Sequence, residues 1–179
     1  MLEAFPTDWR TALLLVPHPD DPEYGCAAAV AKWTSHGKTV HYALACRGEV
    51  GIAGMPAEEA GPLREAEQLR SAAIVGVHDV QFWDFPDSQI RDTPELRAKI
   101  ADTITALAPD LVLTVYSGPE WAPGAPNQRD HVEFSKAVAA AYVAHQTAAV
   151  AVRERAGSHP RRSDRRRLFR PRGRVPRRA

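Results

Sequence analysis

Near the start of the chain, Pro17-His18-Pro19-Asp20-Asp21 sets one imidazole beside two carboxylates. The apolar run Leu13-Leu14-Leu15-Val16 before it reads as a buried parallel strand. These groups therefore fall just past a strand's carboxyl end, where open α/β sheets build their sites. An imidazole and a carboxylate can ligate a divalent metal, and the second carboxylate is then left for proton transfer, which is what a hydrolytic metal site needs. Pro17 and Pro19 restrict the backbone around His18, so little freedom is lost when a metal binds. A lone Asp-Asp pair is more ordinarily a helix cap; here the cap and the site need not compete.

A second segment carries groups of the same kind. Leu111-Val112-Leu113-Thr114-Val115, introduced by Pro109-Asp110, reads as another short apolar strand. It leads through a Pro/Gly-rich loop to Asn127-Gln128-Arg129-Asp130-His131. Phe134, Val138, Ala141 and Tyr142 then recur at helical spacing, so His131 opens a helix. If the two strands are neighbours at the crossover of the sheet, His18, Asp21 and His131 converge on one ion.

The elements that must position these groups follow from the apolar pattern. Strand 12–16 is followed by a helix over about 23–35, ended by Gly37, and by strand 39–46. The glycine-bearing loop 47–61 leaves that strand at the rim of the site and is a candidate lid. A helix over about 62–75, a strand over 79–83, a helix over 94–107 and the strand and helix of the second segment complete the set. Such alternation predicts an α/β fold with a mostly parallel sheet and right-handed crossovers. No internal repeat is present.

With Leu63-Arg64-Glu65-Ala66-Glu67, the turn Asp84-Phe85-Pro86-Asp87-Ser88 and the Asp130-His131 pair, these segments resemble the LmbE/PIG-L family of zinc-dependent N-acetylglucosaminyl deacetylases. The resemblance spans roughly residues 10–150. It implies a Rossmann-like, three-layer α/β/α fold of the LmbE type. By it, His18, Asp21 and His131 are the zinc ligands and Asp20 is the general base. A zinc with three protein ligands keeps a position open for water, whose pKa falls from about 15.7 toward about 7. Two histidines and an aspartate also accept Fe2+ or Co2+. Arg64 and Asp87 would contact the sugar of a small-molecule or glycoconjugate substrate. By their residue types alone they are a solvated arginine opening a helix and a turn carboxylate.

One position departs from the family. Many members carry His-x-Asp-His where this chain has Gln128-Arg129-Asp130-His131. Gln128 can donate a hydrogen bond to an oxyanion but gives up no proton at neutral pH, so acid catalysis would fall on Asp20. Asp130 either orients His131 or caps its helix. Tyr116 and Trp121, before and in the loop that leads to His131, could wall a sugar ring or pack locally. Cys26 and Cys46 belong to no Cys-x-x-Cys pattern and read as small buried thiols. His36, His41, His78 and His145 all have structural readings.

At 179 residues and 44% hydrophobic content the chain suits one domain. No apolar run approaches the roughly 20 residues that would span a bilayer, and no secretory signal is evident, so a cytoplasmic location is the default. The near-neutral total hides two opposite parts. Residues 153–179 hold 12 Arg, no Lys and two acids, a net +10, whereas residues 1–152 carry 11 basic and 20 acidic groups, a net −9. The expected organisation is therefore a deacetylase domain over 1–152 and a basic, disordered tail over 153–179.

That tail could bind nucleic acid electrostatically, although no aromatic interleaving accompanies its arginines. It could fold back on the acidic domain. The favoured reading is a GC-rich stretch translated in a shifted frame, with the family's C-terminal portion missing. A missing sheet edge would expose apolar surface and favour self-association, so a homo-oligomer is an expectation, with no membrane partner. Three functions follow in order: a metal-dependent deacetylase, a metal- or sugar-binding remnant with impaired turnover, and nucleic-acid association through the tail.

Overall fold

In the first strand, β1 (Thr11–Val16), alternate side chains serve two separate cores. Leu13 and Leu15 enter the core that holds Ile100, Ile104, Phe134 and Val138, while Ala12, Leu14 and Val16 enter the core that holds Val30, Ala72 and Val77. A strand buried on both faces belongs inside a parallel sheet covered by helices on either side. The computed structural model, which describes residues 5–155 and 167–169, has that architecture.

The remaining elements are α1 (Asp21–Gly25), α2 (Ala27–Ser35), β2 (Thr39–Leu44), α3 (Ala57–Ile74), β3 (Asp79–Phe82), α4 (Pro94–Leu107), β4 (Leu111–Thr114), β5 (Glu120–Ala122), β6 (Ala125–Pro126), α5 (Arg129–Arg155) and β7 (Arg167–Phe169). The main sheet has the order β3-β2-β1-β4-β7 with every pairing parallel. Helices α2 and α3 contribute to the core on one face, α4 and α5 to the core on the other. β1 pairs with β2 on one side (Thr11 against Thr39) and with β4 on the other (Ala12 against Leu111). The chain therefore leaves β1 toward one edge and later returns to its other side, which opens a crevice at the carboxyl ends of β1 and β4. The expected parallel α/β architecture is borne out.

Local differences have local causes. The single helix expected over 23–35 is two, interrupted at Cys26, whose backbone (φ −153°, ψ 7°) is neither helical nor extended. The helix expected from Pro62 begins at Ala57, after Pro56 in an extended conformation. Proline favours the first turn, and of the two prolines Pro56 marks the start while Pro62 lies within the helix at the loss of one backbone bond. Helix α4 matches its expected span: Thr93 Oγ1 accepts from Leu96 N–H (3.3 Å), Pro94 is the first helical residue and Ala108 closes the helix with φ 46°. The loop before α5 contains the small antiparallel pair β5–β6, which its Pro and Gly content did not suggest.

Disorder is expected of the basic tail over 153–179; residues 153–155 instead continue α5 and Arg167–Phe169 form β7, paired with β4 in the main sheet, while the rest of that expectation lies outside the described residues. Among the described residues, no helix is long and apolar enough to cross a membrane.

Candidate active site

The loop leaving β1 is pinned before it reaches the histidine. The backbone N–H and the thiol of Cys46, just past β2, both donate to the Pro17 carbonyl (3.1 and 3.3 Å). The Asp21 carboxylate then accepts from the His18 backbone N–H (2.9 Å), which closes the turn Pro17–Asp21 on itself. Asp20, in the middle of that turn, has φ 81°. This left-handed conformation is uncommon without glycine, though Asp tolerates it better than most residues.

His131 arrives from the other side of the crevice, in the first turn of α5. Its Nε2 lies 3.0 Å from Asp21 Oδ1, while Asp21 Oδ2 lies 3.6 Å from His18 Nδ1. One carboxylate thus stands between two imidazoles whose ring centroids are 5.4 Å apart. The three expected ligands, His18, Asp21 and His131, are brought together, each offering a ligand atom within 4.8 Å of the others. Burial works against the charge on Asp21, but the hydrogen bonds of His131 and His18 pull its carboxyl down to about 2. Burial likewise opposes a protonated His18, yet Asp21 and Asp87 outweigh it and push the imidazole up to about 10.

Asp130 does something that neither reading of the sequence anticipated. Its buried carboxylate faces His18 Nε2 at 3.3 Å rather than orienting His131, and Asp87 approaches the same nitrogen at 3.4 Å. A carboxylate that takes one imidazole N–H fixes the tautomer and leaves the other nitrogen free for a metal. Asp87, expected at a sugar, is buried and also accepts from Val50 N–H (3.1 Å). The hydrogen bonds of His18 and Val50 overcome its burial and hold its carboxyl below the ordinary range.

Arg64 is also engaged within the protein. Its guanidinium donates to the Pro19 carbonyl (2.9 Å) and to the Asp20 carboxylate (2.8 Å). The Asp20 side chain is half-exposed, and burial raises its carboxyl above the usual value despite Arg64. Gln128, by contrast, is exposed at the residue before α5, where its carbonyl accepts from Val132 N–H.

These residues fit a divalent ion. Two nitrogens and a carboxylate converge, three carboxylates crowd one imidazole, and His131 Nδ1 is buried with no hydrogen-bond partner. A second group, His18, Cys46 and Asp87, is also close enough for a metal, but it is wholly buried. Burial pushes the Cys46 thiol up, and the thiol is already engaged, donating to the Pro17 carbonyl (3.3 Å).

Three participants were not legible as such in the sequence. Asn127 is buried and its side-chain amide donates to the Tyr116 and Gly118 carbonyls (3.0 and 2.9 Å), bracing the loop ahead of His131. Gln68 accepts from Asp20 N–H, and Glu23 accepts from Gln68. The Asn-x-x-Asp-His spacing was a possible signal for Asn127; nothing marked Gln68 apart from its place one helical turn after Arg64. Trp121, half-exposed, stands with its ring edge-on to His131 (6.3 Å) and against Tyr116 (5.2 Å). From Asp21 and His131 an apolar groove of about 930 Å³ runs along the sheet face past Leu14, Val16 and Leu113.

Residues 13–142 match the family model described as PIG-L, GlcNAc-PI de-N-acetylase. A probable N-acetyl-alpha-D-glucosaminyl L-malate deacetylase 2 of Bacillus anthracis is 32% identical over 139 residues, covering 74% of this chain and 59% of that protein. Among solved structures, the N,N'-diacetylchitobiose deacetylase of Pyrococcus horikoshii superposes with a TM-score of 0.68 at 23% identity, over 75% of this chain and 49% of the other. The 4-carboxy-2-hydroxymuconate hydratase GalB of Pseudomonas putida superposes with 0.65 at 23% identity, over 75% and 56%. Those two likenesses establish the fold alone, and their names differ in chemistry. The chain spans about half the length of the curated relatives it matches, between 40% and 59%.

Proposed function

The chain belongs to the PIG-L de-N-acetylase family, and on that premise we propose that it hydrolyses the acetamide of an N-acetylglucosamine-containing small molecule or glycoconjugate. The observation that carries this reading is the convergence of His18, Asp21 and His131 at the crevice between β1 and β4, with the Asp20 carboxylate next in the chain and half-exposed.

His18, Asp21 and His131 would hold the ion, zinc by the donor set, with Fe2+ or Co2+ acceptable to the same atoms. When bound, it supplies Lewis-acid polarisation of the amide carbonyl and of a water. Asp130 and Asp87 keep His18 in the tautomer that presents Nδ1 to that position. Asp20 accepts the proton of the attacking water as its oxygen bonds to the carbonyl carbon. It returns that proton to the nitrogen as the C–N bond breaks, leaving acetate and the free amine. Gln128 donates a hydrogen bond toward the oxyanion without proton transfer. Trp121 and Tyr116 form one wall for the sugar ring.

A second reading, binding of metal or sugar with poor turnover, is favoured by one specific feature: Gln128 cannot replace the histidine that many family members carry. The test is acetate release from N-acetylglucosamine conjugates by the zinc-loaded protein, with Asp20→Ala alongside. The expected result is release that requires metal and falls by about 10²-fold or more in the variant, which keeps its metal. Stoichiometric metal without release would establish the second reading instead.

A further inference from the structure

The left-handed turn that carries Asp20 is held from α3, a helix that supplies no residue to the His18–Asp21–His131 triad. Residues 64 and 68 stand one helical turn apart on α3, on the same face. Arg64 takes the Pro19 carbonyl and the Asp20 carboxylate (2.9 and 2.8 Å), and Gln68 Oε1 takes the Asp20 backbone N–H (2.9 Å). Gln68 is only 3% exposed, so its amide must be satisfied. Its orientation is set by Glu23: the Gln68 Nε2 donates to Glu23 Oε1 (3.0 Å), an acceptor-only group, and this turns the Gln68 oxygen toward Asp20. The Ser71 hydroxyl donates to the same Glu23 oxygen (2.5 Å) and anchors it to the next turn of α3.

Gly48 and Gly51 complete the clamp on the far side of Arg64. A Cβ on Gly51 would lie 1.9 Å from Arg64 Nη1, and one on Gly48 2.9 Å from the guanidinium, so the candidate lid loop is packed on the arginine and a side chain at either position would displace its guanidinium. Asp20 is therefore fixed at its backbone N–H, at the carbonyl before it and at its side-chain carboxylate, all from one face of α3. Such over-determination is what keeps an uncommon backbone conformation populated.

We propose that Gln68 is a positioning residue, holding Asp20 in its left-handed turn so that the carboxylate meets the water and amide with the alignment proton transfer requires. This rests on the proposed role of Asp20 as the base. The Gln68 hydrogen bonds run to the Asp20 backbone and to Glu23, not to His18, Asp21 or His131, so it acts through the Asp20 backbone.

The experiment pairs amide hydrogen exchange with a double-mutant cycle. Gln68→Met keeps the volume of the side chain and removes the acceptor, with Gln68→Ala as a second variant. In the wild-type protein Asp20 N–H exchanges slowly; in Gln68→Met its exchange accelerates at least about tenfold while amides of β1 and α4 stay protected, which separates local release from misfolding. In turnover, Gln68→Met lowers kcat about 10- to 100-fold with KM within about twofold and metal content unchanged. In an Asp20→Asn background, where the side chain can no longer act as a base, the same substitution costs less than about twofold further. Unchanged exchange at Asp20, or a full kcat loss that persists in the Asp20→Asn background, overturns the positioning role. Wild-type turnover by Asp20→Asn alone overturns the base assignment, a separate failure with its own signature.

Discussion

The loops that leave β1 and β4 each bring a histidine to the same centre, yet they are held in opposite ways. The first is short and over-determined: Cys46, Asp21, Gln68 and Arg64 among them bind the backbone of Pro17, His18, Pro19 and Asp20. The second is long, carries a half-exposed Trp121 and an exposed β5–β6 pair, and is tied chiefly through Asn127. Chemistry needs a ligand and a base fixed to within a fraction of an ångström, whereas a wall that meets variable substrates gains from adjustability. On the proposed function, the first loop would hold a ligand and the base in fixed positions, and the second would carry the sugar-facing wall ahead of the ligand His131.

That contrast can be broken at either loop. The largest effect is expected from the metal itself: at a free concentration 100 times its dissociation constant it adds about 2.7 kcal/mol of stability, read as a shift in denaturation midpoint. On its removal, exchange of the non-proline amides of residues 116–127 should rise while that of the His18 and Asp20 amides stays low; equal release of both loops would erase the distinction. Next, Asp130→Asn should weaken metal binding about 10- to 100-fold, because the carboxylate facing His18 Nε2 is lost, as measured by chelator competition. Asn127→Ala removes two side-chain hydrogen bonds and should cost about 1–2 kcal/mol in denaturant unfolding, with KM raised more than kcat is lowered. The smallest change is expected for Trp121→Ala, with stability within about 0.5 kcal/mol of wild type and a several-fold rise in KM for a sugar substrate.

The sequence disclosed what is local and what is periodic. Strand burial on two faces and the span of α4 between Thr93 and Ala108 follow from patterns short enough to read along the chain, whereas the convergence of His18, Asp21 and His131 is legible only through the family resemblance and on the condition that β1 and β4 are neighbours, which they are. What it concealed is pairwise in space. Asp130 lies beside His131 in sequence but faces His18, because in the first turn of a helix adjacent side chains diverge by about 100°. Asp87 reads as a turn carboxylate, and only the parallel order of β3, β2 and β1 brings the loop after β3 under His18. Arg64 reads as an exposed arginine, yet it is largely covered because the glycines of the 47–61 loop close over it. Such partners are set by topology, which a linear pattern does not contain.

Metal stoichiometry tests the central claim most directly. Wild-type protein should bind one divalent ion per chain, and both His18→Ala and His131→Ala should lose it while Cys46→Ser retains it. An ion kept by His131→Ala and lost by Cys46→Ser would place the site in the His18–Cys46–Asp87 group and contradict the account.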